Sequence, residues 1–309
     1  MRTLKINFVD FWPSFSKSDN YFFHLLNSKY DVVVEEENPD LLFFSVDYSK
    51  QRQRDRYLNH PCKKIFYSGE NVRPNLDFPG SIEHQRYSIG KADFAFTFDS
   101  SKDSRQYRLP LWALFINWFE LAPSDHRDPS YLIPLPNLIN REFSTKEKFC
   151  NFVFSNSSGE RLRILDAIAT YKNVDCAGSL RNNLNFTIPG RGDQEDKILF
   201  LKDYKFTIAA ENSKSIGYVT EKIIHPLSVG SIPIYWGGSL ASEDFNEKCF
   251  IDVEKFSTLG DLVEHVRTID SDKSLYESYL SEPIFKNNEI PLQFRPEYVL
   301  KYFEEKILC

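Results

Sequence analysis

The residues best suited to chemistry lie in one stretch of the sequence, where an apolar strand gives way to a polar loop. The predicted strand Lys205–Ala210 is followed by Glu211-Asn212-Ser213, and a helix is predicted over Tyr218–Val229. In open α/β sheets, ligands bind at the carboxyl ends of parallel strands, which is the position of this loop. The first helical turn offers unpaired N–H groups and the positive end of the helix dipole, so the stretch predicts a phosphate site.

Four side chains of this stretch are candidates for contacting the ligand: Asn212, Tyr218, Glu221 and Lys222. Lys222 adds a full positive charge, whereas Glu221 is better suited to the hydroxyl groups of a sugar or a ribose. The alternative is that Glu221 and Lys222 are solvent-facing residues of an ordinary first turn, because most charged helix residues face water.

Glu70 is a candidate for proton transfer in the first half of the chain. It follows the predicted strand Lys64–Ser68 and Gly69, so its carboxylate lies just past a strand end, from where it can project into a ligand site. The alternative is a carboxylate that serves only a turn or a helix cap, which is a common use of this position.

Composition argues against several classes of protein. The formal net charge of −6 and the lack of a basic stripe argue against a nucleic-acid partner. The 5 cysteines form no CxxC pair or Cys/His cluster, so no zinc site is predicted and free thiols are favoured.

The apolar stretch Leu109–Pro123 contains Asn117 and Glu120 and is too short and polar to span a bilayer. With no signal-peptide pattern either, we expect a cytoplasmic or peripheral membrane protein without a transmembrane segment.

Strand-like and helix-like patterns alternate along both halves of the chain, which predicts βαβ units and mostly parallel sheets. We therefore expect two Rossmann-like α/β domains that face each other across a cleft. The expected domains are residues 1–140 and 141–292, joined by the Pro-, Ser- and charge-rich region Pro123–Lys148. A final helix over residues 293–309 would pack back on the first domain.

The polar stretch resembles the donor-binding signature of the α-1,3-fucosyltransferases, and its spacing is kept at full length. That pattern runs F-x(4)-E-N-S, then Y-V-T-E-K, then P-x-x-x-G, which corresponds here to Phe206, Glu211-Asn212-Ser213, Tyr218–Lys222, Pro233 and Gly237. A glutamate–lysine pair alone would carry no such information.

Further matches extend the resemblance from about residue 64 to residue 245. The segment Phe152–Asn156, followed by Arg161, is similar to the strand–loop–helix with which the family supplies an arginine to its donor. In the first half, Glu70-Asn71 and Pro74-Asn75 resemble acceptor-domain motifs of the compact bacterial members. The resemblance implies the GT-B arrangement of two Rossmann-like domains.

The resemblance also implies roles for the candidate residues. Arg161 and Lys222 would neutralise the diphosphate of GDP, and Asn212 and Tyr218 would hydrogen-bond the donor. Glu221 would contact ribose or fucose and stabilise positive charge developing at the anomeric carbon.

In the first domain, Glu70 would be the general base, since an acceptor hydroxyl gains from a carboxylate that takes its proton. No essential metal is expected, because the sequence has no Asp-x-Asp site, whereas stimulation by a divalent ion stays open.

The reaction implied is inverting transfer of L-fucose from GDP-fucose to a hydroxyl, O3 of N-acetylglucosamine in a lactosamine-type glycan. Two alternatives remain at this point. One is a transferase of the same fold that uses another nucleotide sugar, and the other is a catalytically inactive carbohydrate-binding protein.

Overall fold

The computed structural model describes residues 2–46, 52–71, 92–121, 132–140, 146–188 and 194–309, with no side-chain description for 194–196. Two compact units make up the chain. The first combines Met1–Pro110 with Leu292–Cys309, and the second is Leu111–Pro291. Each unit is built on its own parallel sheet, which confirms the predicted α/β class with two Rossmann-like domains.

The first unit contains a six-stranded parallel sheet in the order β2-β1-β3-β4-β5-β6. Its strands are β1 Thr3–Val9, β2 Asp31–Val34, β3 Leu41–Phe44, β4 Lys63–Tyr67, β5 Phe94–Thr97 and β6 Gln106–Arg108. Its helical segments are α1 Tyr21–Asn27, the 3₁₀ turns Gln53–Tyr57 and Leu292–Phe294, and α10 Pro296–Tyr302, which continues as a π-helical turn over Phe303–Ile307.

Aromatic packing joins the C-terminal segment to the sheet of the first unit. The ring of Phe303 stacks on Phe96 of β5 with a centroid distance of 5.1 Å, and it meets the ring of Phe22 of α1 edge-on at 6.3 Å. All three rings are buried, so the last helix completes the core of the first unit from the opposite end of the chain.

The second unit contains a five-stranded parallel sheet in the order β10-β9-β11-β12-β13 and a two-stranded parallel pair, β7-β8. Its strands are β7 Ile116–Asn117, β8 Ile133–Pro134, β9 Lys148–Phe152, β10 Val174–Cys176, β11 Tyr204–Ala210, β12 Ile232–Trp236 and β13 Ile251–Asp252. Its helices are α2 Leu111–Leu114, α3 Pro136–Ile139, α4 Gly159–Ala169, α5 Gln194–Leu201, α6 Glu221–Ser228, α7 Ala241–Asp244, α8 Leu259–Ser271 and α9 Lys273–Ser281. The 3₁₀ turns Val253–Lys255 and Lys286–Asn288 complete the unit.

The structure places the unit boundary 30 residues before the expected one at residue 140. Helices α2 and α3 both pack against α6 of the second unit. On α2, the indole of Trp112 is fully buried and donates a hydrogen bond to Asp244 Oδ2 at 2.9 Å. The segment after Pro110 therefore belongs to the second core, because the indole of Trp112 is buried there.

The helix expected from Tyr218 begins three residues later, at Glu221. Thr220 has extended backbone angles, φ −115° and ψ −168°, because its N–H and hydroxyl both bond to the Glu211 carboxylate. Tyr218 is therefore a loop residue, and Glu221 is the first residue of the helix. Among the described residues, no helix is long and apolar enough to cross a membrane.

Candidate functional site

The site in the second unit begins where β11 ends, with the buried carboxylate of Glu211. This side chain has no exposed surface, and it accepts hydrogen bonds from the Thr220 amide at 2.8 Å and the Thr220 hydroxyl at 2.8 and 2.9 Å. Burial raises the pKa of Glu211, while Lys222 and the Thr220 bonds oppose that shift. Glu211 thus connects the start of α6 to the end of β11, a role that the sequence pattern does not predict.

Two glycines allow the loop before α6 to lie against the end of β12. A Cβ at Gly238 would come within 2.6 Å of the Tyr218 carbonyl oxygen, and one at Gly237 would come within 2.5 Å of the Glu211 side chain. The Gly238 amide also donates to the Tyr235 hydroxyl at 3.1 Å. These positions accept no larger side chain, because backbone and a buried carboxylate occupy the space.

Lys222 is surrounded by oxygen atoms at the start of α6. Its Nζ lies 3.2 Å from Glu211 Oε2, 3.0 Å from Thr220 Oγ1 and 3.3 Å from Glu221 Oε1. Burial alone would lower the pKa of Lys222, but the two carboxylates outweigh burial and raise it. The ammonium therefore keeps its charge in a largely desolvated place, where it attracts an anion strongly.

Glu221 is ionised beside two lysines. Burial alone would raise its pKa, but the charges of Lys222 and Lys197 outweigh burial and hold it well below its usual range. The side chain of Thr220, the N-cap residue of α6, accepts no hydrogen bond from the first turn of the helix, so the first-turn N–H groups are not capped by it. The helix start therefore presents both a carboxylate and backbone donors, which suits a ligand with hydroxyl and phosphate groups.

Arg161 lies on α4 and reaches the end of the neighbouring strand. Its Nε and Nη2 donate to the Ala210 carbonyl at 3.0 and 2.7 Å, and Nη1 donates to the Asn156 carbonyl at 3.2 Å. Burial lowers the pKa of Arg161, and Glu211 opposes that shift. A guanidinium has five N–H groups, so one on each terminal nitrogen has no acceptor among the described residues.

Lys197 of α5 is a member of the site that sequence reasoning missed. Burial lowers its pKa, and the nearby Glu221 carboxylate opposes that shift. In the sequence this lysine immediately precedes the apolar run Ile198–Leu201, a position that indicates a lysine at the border of a core. With Lys197, three cations face the carboxylates of Glu211 and Glu221, so the site carries an excess positive charge.

The other predicted residues lie as follows. Asn212 is exposed directly after Glu211, and Tyr218 is buried in the loop, where its amide donates to the Ser215 carbonyl at 3.2 Å.

Glu70 lies in the first unit, exposed at the carboxyl end of β4, and its amide donates to Ser68 Oγ at 3.1 Å. Pro74 and Asn75 lie outside the described residues.

His225 is fully buried on α6, its ring meets Phe115 edge-on at 5.2 Å, and neither ring nitrogen has a hydrogen-bond partner in the described part of the chain. All five cysteines are free, as predicted. No group of three or more His, Cys, Asp or Glu side chains among the described residues is arranged to hold a metal ion.

Comparison with known sequences connects both units to one family. Residues 143–283 match the family described as glycosyltransferase family 10 (fucosyltransferase) C-term, which includes Arg161, Lys197, Glu211 and the start of α6. Residues 6–115 match the α-(1,3)-fucosyltransferase FucT N-terminal domain, which includes Glu70.

Individual relatives agree with these matches. The chain is 29% identical over 310 residues to α-(1,3)-fucosyltransferase FucT of Helicobacter pylori, covering 90% of this chain and 60% of that protein. It is 28% identical over 264 residues to human GDP-fucose protein O-fucosyltransferase 3, covering 78% of this chain and 52% of that protein. The chain thus spans less than two thirds of the length of these curated relatives.

A solved structure has the same fold over nearly the whole chain. It is a crystal structure of an α1,3-fucosyltransferase with GDP-fucose, matched with a TM-score of 0.70 and 25% identity. The match covers 98% of this chain and 90% of the solved one.

Proposed function

Because the chain belongs to glycosyltransferase family 10, the fucosyltransferases, we propose that it transfers L-fucose from GDP-fucose to a sugar hydroxyl. The observation that carries the proposal is the cluster of the buried Arg161 and Glu211 with the part-buried Lys222 and Glu221 at the carboxyl edge of the second sheet. An excess of positive charge in a desolvated site suits a diphosphate, and an adjacent carboxylate suits the hydroxyl groups of a sugar or ribose.

The donor is held through its diphosphate in this proposal. Lys222 neutralises it as a point charge, and Arg161 reaches it with the N–H groups that the Ala210 and Asn156 carbonyls leave unused. Asn212 and Tyr218 hydrogen-bond the donor. Glu221, held ionised by its lysine neighbours, contacts ribose or fucose and stabilises positive charge developing at the anomeric carbon.

Transfer proceeds with inversion at the anomeric carbon in this proposal. The acceptor oxygen forms a bond to that carbon while the bond to the diphosphate oxygen breaks, GDP leaves, and Glu70 takes the hydroxyl proton. The position of Glu70 at the exposed carboxyl end of β4 supports its role, because a base must reach a bound acceptor from the protein surface.

The acceptor we propose is O3 of N-acetylglucosamine in a lactosamine-type glycan, and the similarity to the α-(1,3)-fucosyltransferase of H. pylori supports the 1,3 linkage. The relation to human GDP-fucose protein O-fucosyltransferase 3 supports a second candidate, a hydroxyl group of a protein side chain. No essential metal takes part, since protein cations and the helix start neutralise the leaving diphosphate.

The test has a binding step and a transfer step. Thermal unfolding is measured with GDP, UDP and ADP, and GDP is expected to stabilise the protein most, by about 2.7 kcal/mol at a hundred times its dissociation constant. The protein is then incubated with GDP-fucose and either a glycan array or folded protein domains, and the product linkage is read by NMR. Equal stabilisation by all three nucleotides would refute the donor, and no product on any acceptor would refute transfer.

A further inference from the structure

Three aromatic side chains that follow β1 form a compact cluster in the first unit. Phe11, Trp12 and Phe15 are called the β1 aromatic cluster here. The rings of Phe11 and Phe15 are stacked with centroids 4.1 Å apart, and the Trp12 ring stands perpendicular to Phe15 at 4.9 Å. Trp12 also contacts Phe11 at 5.7 Å, so each ring of the cluster supports the other two.

Hydrogen bonds fix the loop that carries the cluster at two points. The Phe15 amide donates to the Trp12 carbonyl at 3.0 Å, which closes a turn with Pro13 in the position where proline favours turn formation. At its start, Asp10 has a positive φ of 60°, and its buried carboxylate bonds to the Arg54 guanidinium at 2.9 Å and the Gln53 amide at 2.8 Å. The rings are therefore pre-organised rather than free to collapse into the core.

Trp12 remains 41% exposed although it is large and apolar. By contrast, Phe8 beneath the cluster is buried, and Trp112 of the second unit has no exposed surface at all. A rigid aromatic ring that is left open to solvent next to a core is typical of a ligand site, because burying it later releases water at little cost in conformational entropy.

The cluster lies at the same sheet edge as Glu70. The ring of Phe11 is parallel to that of Tyr67, with 7° between their planes and 6.3 Å between their centroids. Tyr67 is the last residue of β4, three residues before Glu70. Burial raises the pKa of Tyr67, and the charge of Glu70 raises it further, which places that carboxylate within electrostatic reach of the phenol.

We propose that the β1 aromatic cluster is a sugar-binding platform, on which the Trp12 ring stacks against the C–H face of an acceptor pyranose beside Glu70. This inference rests on the proposed function and adds the residues that recognise the acceptor. The negative face of an aromatic ring attracts the polarised C–H groups of a sugar, and one open indole matches the area of one pyranose. A protein partner would need roughly 1,000 Å² of buried surface in total, far more than this one ring offers.

The test compares Trp12→Ala and Trp12→Phe with Tyr298→Ala, which removes an aromatic ring of similar exposure (40%) elsewhere in the same unit. Initial rates are measured against N-acetyllactosamine concentration at saturating GDP-fucose. We expect Trp12→Ala to raise the acceptor KM about tenfold, Trp12→Phe to retain most of the binding, and Tyr298→Ala to match the wild type. The KM for GDP-fucose should stay unchanged in all three, since the donor residues lie in the other unit.

A second measurement separates this inference from the proposed function. Saturation-transfer NMR detects N-acetyllactosamine binding without donor, and the signal should be lost in Trp12→Ala but kept in Tyr298→Ala. That result supports the sugar-binding platform even if the protein transfers no fucose. A lack of fucose transfer would overturn only the proposed function. An unchanged signal and acceptor KM in Trp12→Ala, or no N-acetyllactosamine signal in the wild type, would overturn the platform.

Discussion

The ammonium of Lys222 lies 3.2 Å from a carboxylate oxygen of Glu211, a side chain with no exposed surface. This pair joins the start of α6 to the end of β11, and Thr220 completes the bonding of the carboxylate. Such a buried pair requires both partners, because removing either leaves an uncompensated charge. It follows that Lys222 stabilises the fold and also holds positive charge in the proposed donor site.

Replacing Lys222 with alanine should weaken GDP binding. A lost charge-assisted contact costs roughly 1.5–3 kcal/mol, or ten- to a hundredfold in affinity, which calorimetry measures directly. Lys214→Ala is the matched control, since Lys214 lies in the loop that precedes α6 and pairs with Glu254, while 45% of its side chain is exposed. Equal GDP affinity in both variants would contradict the proposed role of Lys222.

Arg161→Lys should lose both stability and GDP affinity, because a lysine cannot bond twice to the Ala210 carbonyl and still reach a phosphate. We expect the free energy of unfolding in urea to fall by about 1–3 kcal/mol. Arg163→Lys on the same helix serves as control, since the side chain of Arg163 is 69% exposed. The prediction is wrong if the two variants are equally stable.

Glu70→Gln should reduce turnover while leaving GDP affinity unchanged. The amide keeps the size of the carboxylate but accepts no proton, and losing a general base costs roughly 10²–10⁴ in rate. Because Glu70 is exposed, the thermal midpoint should not move. Glu37→Gln, another exposed position in the first unit, should keep full turnover. Turnover of Glu70→Gln above about a tenth of the wild-type value would assign the base to another residue.

Stability should fall as the pH drops below about 6.5, in part because of His225. Burial lowers the pKa of His225 well below the ordinary 6.5, so between these two values only the unfolded chain binds the extra proton. Each pH unit in that window costs about 1.4 kcal/mol, and above it the contribution is constant. When the free energy of unfolding in urea is plotted against pH across this range, its slope should be shallower in His225→Phe than in the wild type. Part of the slope should remain, because burial also lowers the pKa of His265. An identical slope would contradict the assignment.

Removing divalent metal should leave transfer largely intact. Arg161, Lys222 and the first turn of α6 supply positive charge without an ion in the proposed function. Initial rates after dialysis against EDTA are compared with rates after Mg²⁺ or Mn²⁺ is added back. Complete loss of activity that the metal restores would show that the protein cations are insufficient for the leaving diphosphate.

Those features of the protein that depend on neighbouring residues along the chain could be predicted from the amino-acid pattern. The alternation of apolar and polar segments predicted two parallel-sheet domains, because strands and helices differ in the period of their buried residues. The stretch from β11 to α6 predicted Asn212, Glu221 and Lys222 as one group, since a strand, a short loop and a helix start necessarily bring them to one sheet edge.

Which of these groups are desolvated, and which residues they face, depends on how distant parts of the chain pack together. The Arg161 guanidinium bonds to a carbonyl 49 residues away, and the charge of Lys197 from α5 acts on Glu221 of α6. Likewise, the last 18 residues join the core of the first unit, whereas the segment after Pro110 joins the second. No local pattern encodes these relations, because burial and charge pairing depend on which distant elements pack together.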